Sequence, residues 1–164
     1  DSITSQGKAR VMAEGFWQKF SSKNEVPLYL FRVAGIYGPN RNVFEKIKVN
    51  ANQKVIKPYQ FFNRIHVEDL AGAVCASLDK PKLAGIYNVT DNLPTPGETV
   101  IDEASKIMQI PILPGINFCD ANLSPMAKSF YRESKRVSNK KLSNVLGYSL
   151  IYPTYVSGLR SITV

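Results

Sequence analysis

Cysteine, histidine and tryptophan are scarce in this sequence of 164 residues, which contains two, one and one of them, respectively. Cys75 and Cys119 lie far apart and outside any ligand-like spacing. The sequence therefore indicates neither a zinc site nor a disulfide framework, and we expect no bound metal. Cys75 lies in an apolar stretch of helical character, so we expect it to be a small core residue.

Long apolar runs are also missing. No stretch approaches the roughly 20 residues that a membrane-spanning helix needs, and the first residues lack the charged and apolar regions of a signal peptide. We therefore expect a cytoplasmic protein without a membrane partner. The composition is 44% hydrophobic and 21% charged. Residues 1–164 are expected to form a single domain with a real core, or part of one.

Acidic residues are in deficit, because 21 lysines and arginines face 13 aspartates and glutamates, for a formal net charge of +8. The densest basic cluster spans residues 132–141 and has no interleaved aromatic residues. A solvated basic face is the simplest interpretation, and docking onto an acidic partner surface is the alternative. Nucleic-acid binding is the least favoured of the three, because no nucleic-acid-binding motif is present.

Three glycine motifs that hold phosphates or nucleophiles are absent from the sequence. They are the Gly-x-Gly-x-x-Gly of dinucleotide-binding loops, the Gly-x-x-x-x-Gly-Lys of P-loops and the Gly-x-Ser-x-Gly of hydrolases. Read from its residues alone, the sequence therefore contains no complete active site.

The stretch 28–41 carries the strongest structural signal that is present. Its almost unbroken apolar run over 28–34 predicts a strand buried on both faces, as in parallel sheets. Gly35, Gly38 and the residues that follow predict an irregular loop. Because open α/β sheets bind ligands outside the carboxyl ends of their strands, we expect function at this loop.

A helix is predicted over residues 5–22, before this strand. Its apolar side chains recur every three or four residues, and we expect a sheet to cover them. We call these residues the α1 stripe: Ala9, Met12, Ala13, Phe16 and Phe20.

Helices and short strands alternate along the rest of the chain, which indicates an α/β domain. Strands are expected at 63–67 and 85–90, and a helix at 43–50. A further helix is expected to begin at residue 67, with Leu70, Val74 and Leu78 on its buried side. Capping residues predict the starts of three more helices, at a capping box that begins at Thr95, at Ser124 and at Ser138, and a last helix is expected to begin at Tyr155.

Four polar residues near position 66 invite functional interpretations. His66, the only histidine, is more simply a hydrogen-bonded structural group than a general base. Glu68 and Asp69 suit the first turn of a helix, whose dipole favours negative charge there. Arg64 could clamp a phosphate or carboxylate through both of its terminal nitrogens, or it could form a surface ion pair, and spacing alone does not decide between these.

Four segments, taken together, resemble a known family. They are Leu-Phe-Arg-Val-Ala-Gly-Ile-Tyr-Gly-Pro at 30–39, Arg-Ile-His-Val-Glu-Asp-Leu-Ala at 64–71, Tyr-Asn-Val-Thr-Asp at 87–91, and 138–155 with its Leu-Gly-Tyr and Tyr-Pro-Thr-Tyr. In this order they are similar to NAD(P)-dependent epimerase/dehydratase proteins of the extended and atypical short-chain dehydrogenase/reductase superfamily. The resemblance is to the C-terminal half of that family. It implies an α/β fold made of the late parallel strands of a Rossmann-like fold plus a small substrate-binding lobe, without the N-terminal glycine-rich half.

The resemblance also implies a set of site residues. Val33, Ala34 and Gly35 would lie beside the nicotinamide of NAD or NADP. Arg64 would meet the diphosphate of a nucleotide-sugar-like substrate, with Tyr37 and Asn88 as further lining residues.

The family's catalytic Tyr-x-x-x-Lys pair is replaced in this chain. The resemblance places Gln6 at the tyrosine position and Arg10, a cofactor contact, at the lysine position. We therefore assign no catalytic residue.

Together, these expectations predict that the chain is a truncated or split epimerase/dehydratase-like protein, of which it forms the substrate-side half. Its partner would be an N-terminal Rossmann half or another copy of the chain. The alternatives are a non-catalytic interaction module that docks onto another polypeptide, or a degraded gene product.

Overall fold

The structure is a computed structural model that describes residues 5–50 and 52–162. Its strands are β1 (Tyr29–Val33), β2 (Gly35–Tyr37), β3 (Lys54–Ile56), β4 (Arg64–His66), β5 (Gly85–Val89) and β6 (Gly115–Asn117). Its helices are α1 (Ser5–Asn24), α2 (Val43–Asn50), α3 (Val67–Leu78), α4 (Gly97–Ile107), α5 (Pro125–Phe130), α6 (Lys140–Asn144) and α7 (Tyr155–Ser161). A 3₁₀ turn covers Pro81–Leu83.

The described strands form three parallel pairs. Strand β1 pairs with β5, β2 pairs with β4, and β3 pairs with β6. The register places Val33 opposite Val89 and Gly35 opposite Arg64. Parallel strands need crossover connections, and helices supply them here. The predicted α/β class with parallel strands is confirmed.

Strands β1 and β2 are consecutive pieces of one extended segment that changes partner at Ala34. The amide of Ala34 still donates to Val89 of β5 (3.0 Å), whereas the amide of Gly35 donates to the carbonyl of Asn63, just before β4 (3.1 Å). The predicted irregular loop therefore begins at Gly38 and not at Gly35. The extended segment continues because β4 accepts the hydrogen bonds that β5 no longer does.

Strand β1 is half-buried, not buried on both faces as predicted. Tyr29 and Phe31 face the core and stack with Tyr87. The opposite face, which carries Leu30, looks across a cleft of about 510 Å³ toward the end of α1.

The α1 stripe is not covered by a sheet in the described structure, which contradicts the sequence prediction. Phe16 and Phe20 are 66% and 54% exposed. The side of α1 that meets β1 is polar, because Glu14 binds Arg32 there at 2.5 Å. The helix itself is as predicted, but the apolar side chains lie on its outer side.

Two clusters form the described core. One joins β2, α2, α4 and α7, and the other joins β4, β5, α3 and α6. Their buried members are Tyr37, Phe44, Val100, Ala104, Tyr155 and Leu159 in the first, and Ile65, Ala73, Tyr87, Val89, Leu142 and Leu146 in the second.

Helix α3 buries a different side from the one predicted. Its buried residues are Asp69, Ala73 and Ser77, whereas Leu78 is 73% exposed. The carboxylate of Asp69 accepts hydrogen bonds from the chain near residue 151, which turns that side of the helix inward. Cys75 is consequently exposed, so its expected core position is also wrong.

Two of the predicted helix caps differ from the structure. Thr95 does not cap α4, whose N-cap is Pro96 without a side-chain bond, because the Thr95 hydroxyl donates to the carbonyl of Leu93 instead. The N-cap of α6 is Asn139 and not Ser138. The predicted Ser124 cap of α5 is confirmed, since its hydroxyl accepts from the amide of Ala127.

Two possible features are not found in the described part of the chain. None of its helices is long and apolar enough to cross a membrane. Across residues 5–50 and 52–162, no group of three or more histidine, cysteine, aspartate or glutamate side chains could hold a metal ion.

Candidate functional site

The change of strand partner at Ala34 brings three backbone segments together. The carbonyl of Arg64 accepts hydrogen bonds from the amide of Asp91 (2.7 Å) and the hydroxyl of Thr90 (3.1 Å). These bonds join the residues after β5 to the first residue of β4, beside Ala34. The carboxyl ends of β1 and β5 thus meet in one place, which is where α/β folds bind ligands.

The surface at this point is small and apolar. Val33 is 37% exposed and Gly35 is also exposed. A Cβ atom added to Gly35 would lie 3.3 Å from the carbonyl oxygen of Asn63, which is tighter than ordinary contact. A side chain at position 35 would therefore press against the backbone of residue 63.

Residues 135–139 form one wall of this site, and three asparagine side chains hold them. Asn63 donates to the carbonyl of Lys135 (3.0 Å) and accepts from the amide of Val137 (2.9 Å). Asn88 donates to the carbonyl of residue 138 (3.1 Å), and Asn139 donates to the carbonyl of residue 90 (2.8 Å). The predicted residue Asn88 thus lies in the site, whereas sequence reasoning missed Asn63 and Asn139.

The basic cluster of the sequence contributes a cation to this wall. The guanidinium of Arg136 lies 3.8 Å from the ring centre of Phe61. Lys135, in contrast, forms an ion pair with Glu133. Within the part of the chain that the structure describes, no carboxylate lies within ion-pair distance of Arg136. This arginine therefore keeps its charge available to an anion.

The contacts of Arg64 exclude one of the two interpretations that its spacing allowed, the surface ion pair, and leave the clamping of a phosphate or carboxylate as a prediction. Its Nη1 donates to the carbonyls of Phe62 (3.2 Å) and Thr95 (3.1 Å), and the guanidinium lies 5.9 Å from the ring centre of Tyr155. No described carboxylate forms an ion pair with it, so the surface ion pair is wrong. Burial lowers the pKa of Arg64. Its Nη2 and Nε make no hydrogen bond to described residues.

Asp91 is a buried carboxylate next to Arg64 that the sequence analysis treated only as part of a turn. Its Oδ1 accepts from the amide of Leu93 (3.1 Å), whereas its Oδ2 has no partner among the described residues. Burial raises the pKa of Asp91 to about 6, although the nearby positive charge of Arg64 opposes this shift. The available sequence signal was an aspartate just after a strand, but that position does not reveal whether the carboxylate is buried.

Tyr37 and His66 lie inside the core. Tyr37 is only 8% exposed and its hydroxyl is buried without a partner among the described residues, so it does not line an open surface as the resemblance implied. The Nδ1 of His66 accepts from the amide of Glu68 and caps α3, which confirms a structural histidine. Burial lowers the pKa of His66.

Gln6 and Arg10, the two positions that the resemblance assigned to a catalytic pair, lie in the first two turns of α1. Arg10 is exposed and makes no hydrogen bond or ion pair with a described residue. The side chain of Gln6 lies outside what the structure describes. The structure therefore brings Val33, Ala34, Gly35, Asn88 and Arg64 together, but not Arg10.

Comparisons with known proteins were made at the levels of sequence and structure. No family model and no curated protein matches the chain. A functionally unknown conserved protein from Silicibacter pomeroyi is similar in structure, with 42% identity and a TM-score of 0.89 over 98% of this chain and 56% of its own.

Two solved enzymes are similar at lower identity. UDP-glucose 4-epimerase from Thermotoga maritima, solved with UDP-glucose, matches with a TM-score of 0.76 and 16% identity over 98% of this chain. dTDP-glucose 4,6-dehydratase from Bacillus anthracis, solved with NAD, matches with a TM-score of 0.73 and 15% identity over 98% of this chain. The chain has the fold of the C-terminal portion of Rossmann-like epimerases and dehydratases.

The chain spans only about half the length of these enzymes, 52% of the first and 51% of the second. The partner change at Ala34 thus belongs to the C-terminal portion of an epimerase/dehydratase fold. At these identities the likeness establishes the fold and nothing finer.

Proposed function

We propose that this chain is the substrate-side half of an NAD(P)-dependent epimerase/dehydratase-like protein and binds a nucleotide-sugar-like ligand. The observation that carries the proposal is the open apolar surface at the carboxyl ends of β1 and β5, beside Ala34. Two enzymes of the same fold were solved with UDP-glucose and with NAD, respectively.

The residues present fit one end of a dinucleotide. Gly35 presents backbone without a side chain next to the exposed Val33, and such a surface would suit a flat nicotinamide ring. When bound, NAD or NADP would supply hydride transfer. The sequence contains no glycine-rich loop for the pyrophosphate, so this end alone would bind the cofactor weakly.

The substrate side of the proposed site is polar and positively charged. Arg136 and the free nitrogens of Arg64 provide donors for a diphosphate, and guanidinium groups suit phosphate geometry. Asn88 adds a polar group beside them at the end of β5. We propose that these three side chains hold the ligand.

Binding is proposed here, and turnover is not. Gln6 cannot act as a phenolate acid or base at the position of the family's tyrosine. Arg10 cannot provide the tunable ammonium of a lysine. Any proton transfer would need a side chain that the described site does not supply.

We further propose that an N-terminal Rossmann half completes the fold, either within a longer polypeptide or as a separate chain. The relatives that contain it are about twice as long as this chain. Such a half would supply the missing phosphate loop. Self-association of this chain is the other arrangement that would cover exposed surface.

Isothermal titration calorimetry with UDP-glucose, dTDP-glucose, NAD and NADP tests the proposal. We expect a nucleotide sugar to bind more tightly than NAD or NADP. Replacing Arg136 with glutamine should weaken nucleotide-sugar binding about tenfold, since a charge-assisted contact is lost. The matched control is Arg132→Gln, an exposed arginine of the same cluster. Absence of heat with every ligand, or equal losses in both variants, would contradict the proposal.

A second candidate function is a non-catalytic interaction module. The exposed α1 stripe favours it, because an apolar helix side of this length marks an interaction surface. The same calorimetry separates the two, since an interaction module would bind none of the four ligands.

A further inference from the structure

Residues 133–138, which we call the strap, carry Arg136 and are fastened by side chains. Among the described residues, no backbone group of the strap forms a hydrogen bond with another backbone group. Segments of this kind open more easily than helices and strands. Three amide side chains each donate to one strap carbonyl: Gln60 to Glu133 (2.8 Å), Asn63 to Lys135 (3.0 Å) and Asn88 to Ser138 (3.1 Å).

Asn63 holds the part of the strap that contains Arg136. Its Nδ2 donates to the carbonyl of Lys135, and its Oδ1 accepts from the amide of Val137 (2.9 Å). The first bond holds the peptide group that precedes Arg136, and the second holds the peptide group that follows it. A single side chain therefore fixes the backbone on both sides of this arginine.

Asn63 also connects the strap to the floor of the candidate site. Its backbone carbonyl accepts a hydrogen bond from the amide of Gly35 (3.1 Å). It lies immediately before β4, whose first residue is Arg64. The position of Arg136 relative to Gly35 thus depends on one residue that binds the backbone at both places.

Phe61 orients the charged end of Arg136. The guanidinium lies 3.8 Å from the ring centre of Phe61, and the amide of Phe61 donates to the hydroxyl of Ser134 in the strap (3.0 Å). The donors of a guanidinium lie in its plane, so stacking on an aromatic ring does not use them. Backbone and charge are both held in place, and groups that are already ordered lose less entropy when a ligand binds.

We propose that Asn63 is a positioning residue, which holds Arg136 in place for the phosphate oxygens of a ligand. This role rests on the proposed function of the site, in which Arg136 supplies a cation. Without the two bonds of Asn63 the arginine would still be present. A ligand would then have to order residues 135–137 as it binds, at a cost in conformational entropy.

Trypsin measures the hold of Asn63 without any ligand, because it cleaves after arginine and Arg136 lies in the strap. Proteolysis follows the population of the opened segment when opening is fast. The loss of two hydrogen bonds should raise the rate of cleavage after Arg136 about tenfold in Asn63→Ala. Asn63→Asp keeps the acceptor for Val137 but loses the donor for Lys135, so its rate should lie between those of Asn63→Ala and the parent.

The matched control is Asn42→Ala. Asn42 makes the same pair of bonds at another place, since it donates to the carbonyl of Gly38 (3.0 Å) and accepts from the amide of Glu45 (3.2 Å). This variant should leave cleavage after Arg136 unchanged. Circular dichroism confirms that each variant is folded before it is digested.

A double-mutant cycle tests whether Asn63 acts through Arg136. The probe is inorganic pyrophosphate, titrated calorimetrically at low salt. We expect Arg136→Gln to weaken binding about tenfold and Asn63→Ala about fivefold. The double variant should lose about tenfold and not about fiftyfold, because no arginine remains to be positioned. A merely structural role of Asn63 would instead multiply the two losses.

Three results would overturn the proposal: equal cleavage of Asn63→Ala and the parent, losses that multiply in the double variant, or a parent chain that does not bind pyrophosphate. The expected cycle with pyrophosphate, combined with no binding of any nucleotide sugar, would support the role of Asn63 and contradict the proposed substrate class. Nucleotide-sugar binding with multiplied losses would do the reverse, so the two proposals fail separately.

Discussion

Asp69 provides the sharpest test of how this fold is held together. Its carboxylate is completely buried and accepts three hydrogen bonds. The donors are the amides of Ile151 (2.7 Å) and Tyr152 (2.9 Å) and the hydroxyl of Tyr148 (3.0 Å). A single side chain thereby ties α3 to the segment that leads into α7.

The perturbation is Asp69→Asn, which keeps the shape of the side chain but replaces one oxygen with an NH₂ group. That group would face an amide donor, so at least one hydrogen bond is lost. A hydrogen bond to a charged group contributes roughly 1.5–3 kcal/mol, and we expect the free energy of unfolding to fall by about 2–3 kcal/mol. In urea this corresponds to a midpoint about 1 M lower.

Urea unfolding followed by far-UV circular dichroism measures this effect. The control is Glu68→Gln, at the neighbouring exposed carboxylate, which accepts a hydrogen bond from the Tyr152 hydroxyl (2.9 Å). The amide oxygen of glutamine can still accept that bond, so a change within about 0.5 kcal/mol is expected. If Asp69 only complemented the helix dipole, as its sequence position suggested, its replacement would cost about 0.3–1 kcal/mol. Equal midpoint shifts for the two variants would refute the role that we assign to this buried carboxylate.

Three other predictions concern buried groups. Burial lowers the pKa of His66 from 6.5, so the unfolded chain takes up a proton that the folded chain does not. Stability should therefore fall as the pH drops below about 6.5. Over the same pH range, the urea midpoint of His66→Gln should fall less than that of the parent. Because burial raises the pKa of Asp91 to about 6, Asp91→Asn should be more stable than the parent at pH 8 by about 1–2 kcal/mol, and this gain should vanish near pH 4. A less stable variant at pH 8 would contradict the burial penalty that we assign to this carboxylate. A Cβ atom at Gly158 would collide with the Tyr37 hydroxyl, so Gly158→Ala should lower the free energy of unfolding by about 1–3 kcal/mol. Adding Tyr37→Phe should recover part of this loss in thermal unfolding. No recovery would show that the collision lies elsewhere.

The α/β class and most helices could be predicted because apolar spacing records which face of each element is buried. α2, α7 and strands β4 and β5 lie close to their expected positions. Phe44 is 1% exposed, as expected for an inward-facing residue of α2. These elements satisfy local pattern and tertiary packing at once.

The misses arise where a distant partner overrides the local pattern. The strand Gly35–Tyr37 forms because β4 lies beside it, although glycine at its start signals a loop. The buried side of α3 is set by Asp69, whose partners lie about 80 residues later in the chain. Periodicity detects apolar residues, so a buried carboxylate is invisible to it.

The candidate site was only partly predictable for the same reason. Val33, Ala34 and Gly35 could be placed at a strand end because they follow an apolar run. Asn63 binds the wall formed by residues 135–139, and Asn139 binds the turn after β5. Each partner lies more than 40 residues away in the sequence, so neither contact leaves a periodic signal. The resemblance implied that Tyr37 lines the site, but the packing of Gly158 against it encloses its hydroxyl.

The change of partner at Ala34 also has a mechanical consequence. Since β1 and β2 are one continuous backbone, any movement of the β1–β5 pair relative to the β2–β4 pair would change the torsion angles at their junction and strain the hydrogen bonds that Thr90 and Asp91 donate to the carbonyl of Arg64. Hinges in proteins are commonly a few such residues at element ends. Any movement of β4, which begins with Arg64, relative to β5 would therefore reshape the floor of the proposed ligand site.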